Sequence, residues 1–342
     1  MAKIPKNRQN EEYWQARDKA EQTWIKQNLA NDEQFNCKLE KYYQDAIAQI
    51  NRDIDSQYIK LAPTTNGLRG AYQAVSDADI KAYEVEAKKV VAKAGQLRAK
   101  GKKVSYSDFS KEVNNHMRIY NATMRINRLE YLKSQVGLRL TDASMNIDND
   151  MRLKLTDAYI DETKRQAGIL GISAKPSMWT GPKVAKVVMA QTGGATFSER
   201  LWANQDALKA QLDQVISTGI IKGDNPRTMA RALKSQLKDT ITNHRYVTER
   251  LVRTEMARVQ FRAQINSFIE NDFRFCKWHA EPGACKICVE IASNDDGLGR
   301  GVYDIDDVPQ VPAHPNCRCS VSAYWIDGKN NSYNATTRAS KK

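Results

Sequence analysis

Cys285-Lys286-Ile287-Cys288, followed after 25 residues by His314-Pro315-Asn316-Cys317-Arg318-Cys319, is the stretch on which the reading of this chain turns. A Cys-x2-Cys turn lets two thiolates meet one metal with little strain, and a second knuckle from a distant segment completes a tetrahedron. Zinc suits thiolate and imidazole ligands. Five candidates compete for four places: Cys285, Cys288, His314, Cys317 and Cys319. In an extended segment residues i and i+2 point the same way, so Cys317 and Cys319 can both face a metal, with His314 then behind the ligands or in the core. The preferred set is Cys285, Cys288, His314 and Cys317, with Cys319 as the substitute. Two other readings stay open: buried thiols packed beneath Trp278 and Trp325, or disulfides in an oxidising extracellular particle. A catalytic zinc would need an open position and a neighbouring acid-base group. Glu281 and Glu290 are the nominal candidates for that group, and each reads as a surface residue. His279 reads as a surface or hydrogen-bonded histidine.

Around this knuckle the chain looks like short strands. Residues 273–278, 302–305 and 320–325 have strand patterning, with Gly, Pro and Asp between them. A metal would replace core that so short a β segment cannot bury alone. The loop Asn294–Gly301 lacks the ending of a phosphate loop and reads as a turn between strands. The tail 327–342 is polar and expected to be flexible.

Toward the N-terminus the pattern is helical. Leu39, Tyr43, Ile47, Ile50, Ile54, Tyr58 and Leu61 recur at three- and four-residue steps. Pro63, Gly67 and Gly70 punctuate the next turn. Further helices are expected over about 77–100, from a Ser107 cap to a weak end at Gly137, and over about 142–163. Gly168, Gly171, Pro176, Gly181 and Pro182 mark a linker at 166–182. Helices at about 183–191, 198–218, 226–239 and 241–271 follow, with Pro226 in a first turn. The expected fold is mainly α: a long-helix region at 1–165, then an α+β domain at 183–326. That domain comprises helices to 271 and a small β, zinc-knuckle-like Cys/His module at 272–326.

The 342 residues carry a formal net charge of +13, with Lys and Arg numbering 53 against 40 Asp and Glu. Between Lys88 and Arg139 there are 13 basic and three acidic residues, and between Lys222 and Arg262 ten and four. Such surfaces attract polyanions. No apolar run approaches the roughly 18 residues that span a bilayer, and the start lacks an apolar leader, so a membrane or secreted protein is not expected. Five of the six cysteines fall within residues 276–319. In a reducing compartment, clustered cysteines favour metal over disulfides. Four histidines leave little room for histidine-based catalysis.

Arg253-Thr254-Glu255 on a helix, Trp278, Cys285-x2-Cys288 and His314-Pro-Asn-Cys317-Arg-Cys319 together resemble the C-terminal domain of the Mu F-like phage minor head proteins, the head morphogenesis family. The similarity spans roughly 175–325, and the turn from Ile220 through Gly223 to Pro226 also fits. The resemblance implies a virion protein, present in few copies inside the head near the portal and in the host cytoplasm during assembly. It implies association with the portal protein and nonspecific contact with double-stranded DNA, with scaffold or major capsid protein as further contacts. It implies a role in procapsid assembly, genome packaging or ejection, and no enzymatic activity. Within it, Arg253 and Glu255 lie two apart on a helix and do not face each other. Either would hold that helix to the strand layer, with a DNA or portal contact as the other reading. Two alternatives remain: a metal-dependent enzyme acting on nucleic acid through the knuckle, and a cellular zinc-containing DNA-binding protein.

Overall fold

The computed structural model describes residues 4–61, 70–99, 104, 106, 110–173, 179–221 and 226–333. The expected punctuation at Pro63, Gly67, Ser107, Pro176 and Gly223, and the tail from residue 334, lie outside them. The protein is mainly helical, as expected. Its α-helices are α1 (Glu11–Ala16), α2 (Asp18–Leu61), α3 (Asp77–Ala99), α4 (Ser110–Thr123), α5 (Arg128–Leu170), α6 (Gly181–Val188), α7 (Phe197–Ile221) and α8 (Pro226–Glu270). Strand β1 (Phe275–His279), helix α9 (Lys286–Ser293), β2 (Val302–Asp304) and β3 (Ser320–Tyr324) complete the order. Among the described residues no helix is long and apolar enough to cross a membrane.

Several helix boundaries differ from those the sequence suggests. Gly137 does not end a helix. The break falls at Met124–Asn127, where the Asn127 side chain accepts the Glu130 amide at 2.9 Å and starts α5. The expected break near residue 240 is absent as well. Ala230, Leu233, Leu237 and Ile241 continue one buried stripe, so α8 runs unbroken through it. The expected linker begins too early, since α5 continues to Leu170, which is fully buried. It stops at Gly171, whose φ of 71° is in the left-handed region. The Ile172 amide returns to the Ala167 carbonyl at 3.0 Å and the Gly171 amide to Gly168 at 3.2 Å. That pair of bonds is a Schellman motif, which a glycine closes without strain.

Two compact units emerge, and neither is a single stretch of sequence. One comprises residues 1–35, 152–190 and 250–342, the other 36–151 and 191–249. The sequential division at 166–182 therefore does not match the packing. The second unit is helical, with Tyr83, Val90, Met117, Met124, Leu138, Met145 and Trp202 in its core. The first unit holds the sheet, antiparallel in the order β2-β1-β3. Its core joins Trp14, Leu170, Phe261, Phe268, Phe273 and Trp278 to four cysteines, Cys276, Cys288, Cys317 and Cys319. The tail is packed further than expected. The Asn331 side chain bonds both backbone groups of Ile326, and Tyr333 is buried.

Candidate metal centre

Cys285 stands at the N-cap of α9, one turn before Cys288, so the start of a helix aims both thiols at one place. Cys285 is exposed and Cys288 is buried. Residues 314–317 form the turn that delivers the second knuckle, with the Cys317 amide bonded to the His314 carbonyl at 3.2 Å. Asn316 takes φ 71°, a left-handed conformation that Asn tolerates better than most residues. Its amide donates to Thr254 Oγ1 of α8 at 2.9 Å.

All five expected ligands come together. His314 Nε2 lies 3.1 Å from Cys285 Sγ and 3.2 Å from Cys288 Sγ. Cys288 Sγ lies 3.7 Å from Cys317 Sγ. Two triads result, Cys285–Cys288–His314 and Cys288–Cys317–Cys319, with the donor atoms of each within 4.8 Å of one another. Cys288 belongs to both. Zinc with Zn–S near ~2.3 Å and Zn–N near ~2.0 Å spaces tetrahedral ligands about 3.8 Å apart for sulfur pairs and about 3.5 Å for sulfur and nitrogen. The observed separations are close to these edges. They are far from the ~2.0 Å of a disulfide, and all six cysteines are free thiols. His314 Nδ1 lies 2.9 Å from the Pro315 carbonyl, which fixes a tautomer with Nε2 free to ligate. This Cys/His cluster can hold a metal ion.

The protons of the cluster are unevenly shared. The Cys319 thiol and the amides of Cys319 and Ala313 bond Cys317 and bring its thiol down to about 5, against the pull of burial. The Cys288 amide lowers Cys285. Burial and the neighbouring Cys317 charge push Cys288 up to about 12. Cys319 is raised because it donates to Cys317 and is buried. His314 is raised by the Pro315 carbonyl and by the thiolates beside it. A divalent cation bound through Cys288 would displace the proton that this thiol retains.

Arg253 and Glu281 bond each other, and Glu281 Oε1 accepts the Arg318 amide at 2.8 Å. Arg253 thus ties α8 to the segment after β1. Glu281 is not the surface residue expected, since its side chain is 9% exposed and both oxygens are engaged. Glu290 is exposed on α9, 3.8 Å from Lys286. Glu255 is buried and pairs at 2.7 Å with Arg258, whose guanidinium reaches the Val187 and Val188 carbonyls at the end of α6. Trp278 is a core residue at 2% exposure. His279 is buried, its Nε2 2.8 Å from Ser322 Oγ. The loop after α9 leads into β2 and is not a turn between strands.

Sequence reading missed the partners of Arg318. Its guanidinium bonds Asp32 at 2.8 and 3.3 Å and also Gln260. Asp32 lies 286 positions away on α2, and no local pattern marks it. No protein-family model, curated protein or solved structure matches the chain.

Proposed function

We propose that the cluster holds a structural zinc ion through Cys285, Cys288, His314 and Cys317, with Cys319 as a fifth thiol beside them. We further propose that the chain is a phage minor head protein, carried inside the head near the portal, contacting packaged DNA and aiding procapsid assembly, packaging or ejection. One observation carries the reading. Arg253, Thr254 and both Cys/His knuckles, on which much of the resemblance rests, are bonded into one neighbourhood: Arg253 through Glu281 to Arg318, Thr254 to Asn316, and the thiols to His314. Zinc in that assembly supplies a crosslink between the start of α9 and the turn at 314–317.

The enzyme reading has less support. Five donors compete for four positions, which leaves no obvious opening for a substrate. The nearest expected carboxylate, Glu281, is held by the Arg253 guanidinium and the Arg318 backbone amide.

Two measurements test the proposal. Metal analysis of the purified chain should find one zinc per molecule, lost in Cys288→Ser and kept in Cys37→Ser. A metal-free wild-type chain overturns the zinc half. Quantitative mass spectrometry of procapsids and virions should find the chain in few copies alongside portal. Particles that hold portal and DNA but none of this chain overturn the other half.

A further inference from the structure

Arg318 sits between two of the metal-cluster thiols, yet its side chain leaves the cluster. In the extended run Cys317-Arg318-Cys319, alternate side chains take opposite sides. The two sulfurs gather at Cys288. The guanidinium goes the other way, to both Asp32 oxygens on α2, at 2.8 and 3.3 Å, and to Gln260 on α8. The Arg318 and Asp32 side chains are 2% and 5% exposed. Gln260 in turn donates to Asn28 at 3.1 Å, one turn before Asp32 on the same face of α2.

We propose that this arrangement makes the metal cluster a lock for the N-terminal part of α2. With metal bound, the thiols pin the backbone on either side of Arg318, and the guanidinium and Gln260 hold the turn of α2 from Asn28 to Asp32, beyond the part of the helix that Arg165 holds at Glu21. With metal removed, the pins are lost and that segment is released. The proposal rests on the zinc reading above and adds a regulated partner to it, a segment of the chain itself.

The chemistry favours joint movement over independent slack. A guanidinium stays charged, and a buried carboxylate left without it is an uncompensated charge, so Arg318 and Asp32 separate only together with their supports. Linkage makes the coupling reciprocal: if metal steadies α2, then α2 steadies metal by the same factor.

The test uses the full-length chain loaded with zinc. Asp32→Asn touches no ligand, yet its zinc affinity, measured by competition with a chromophoric chelator, should fall about tenfold. Amide hydrogen exchange over residues 28–35 should quicken about tenfold in chelator-stripped wild type and in zinc-loaded Asp32→Asn, with zinc restoring protection in wild type only. Glu33→Gln, on the exposed side of the same helix, should change neither reading. Protection over residues 128–151 reports that each variant is folded. Equal zinc affinity in wild type and Asp32→Asn, or full protection of 28–35 after stripping, overturns the lock while leaving the metal reading in place. A wild-type chain that takes up no zinc overturns the metal reading and the lock with it, and is seen before any variant is made.

Discussion

A glycine's meaning depends on what stands opposite it. At Gly137 in α5 a Cβ would lie 2.6 Å from the Tyr120 ring and 2.8 Å from Lys209 Cε, whereas at Gly95 in α3 it would meet nothing within 4 Å. Both positions are helix-interior, where alanine is favoured over glycine by up to about 1 kcal/mol. Gly95→Ala should therefore stabilise by roughly 0.5–1 kcal/mol. Gly137→Ala should instead destabilise by about 1–2 kcal/mol, because overpacking outweighs the propensity gain. Thermal denaturation of the two variants checks the opposite signs. The sequence shows both glycines equally, and reading Gly137 as a helix end followed from seeing its flexibility without its neighbour. The cysteines and His314 were legible for the contrary reason: few residue types ligate metal, and their spacing is local within each knuckle. Asp32 and Gln260 were not, because Asp and Gln are common on helices and their partner is distant in the chain.

Between elements, Arg165 of α5 carries a larger share of the energetics than its surface position suggests. It bonds both oxygens of Glu21 on α2, at 3.0 and 3.1 Å, and both of Glu162 on its own helix. The Glu21 and Glu162 side chains are 0% and 1% exposed. Burial would push the Glu21 carboxyl up, but Arg165 overrides it and the group ends below its ordinary value. Arg165→Met leaves Glu21 with Arg17 alone and Glu162 with only the Gln166 and Gln264 amides, and should cost about 3 kcal/mol near neutral pH. A carboxyl lowered in the folded state contributes stability above its unfolded value, and that contribution is lost as pH falls through the folded one. The gap between wild type and Arg165→Met should thus narrow as pH falls from 7 to 4, because without Arg165 burial raises Glu21, which then takes up its proton at a higher pH than in wild type. Urea midpoints at pH 7 and pH 4 measure it, and a gap that widens in acid contradicts the assignment. The strands were readable because their period is local. Helix continuity was misjudged where Asp239-Thr240 looked like an interruption, although the Thr240 hydroxyl simply bonds the Gln236 carbonyl one turn back.

For the molecule as a whole, charge is the legible quantity and domain division the illegible one. A chain whose long helices contribute residues to both compact units cannot be partitioned by composition alone. Ion pairs absorb part of the positive excess, yet the exposed Lys81, Lys88, Lys111 and Arg118 form no ion pair among the described residues. Nonspecific binding to duplex DNA should accordingly weaken by about 10³-fold or more between 50 and 200 mM salt if six or more phosphates are engaged. Fluorescence anisotropy with labelled duplexes of unrelated sequence reads the slope. A flat profile removes DNA contact from the proposed function.

The run from Cys317 to Cys319 also sets what changes of length the chain can bear. Alternation has a parity, so one residue inserted between the two thiols would turn them to opposite sides and disrupt the sulfur face and the arginine anchor at once. Two inserted residues would restore the parity. Gains and losses of sequence among relatives should therefore collect in the Asp306–Ala313 loop and avoid this tripeptide.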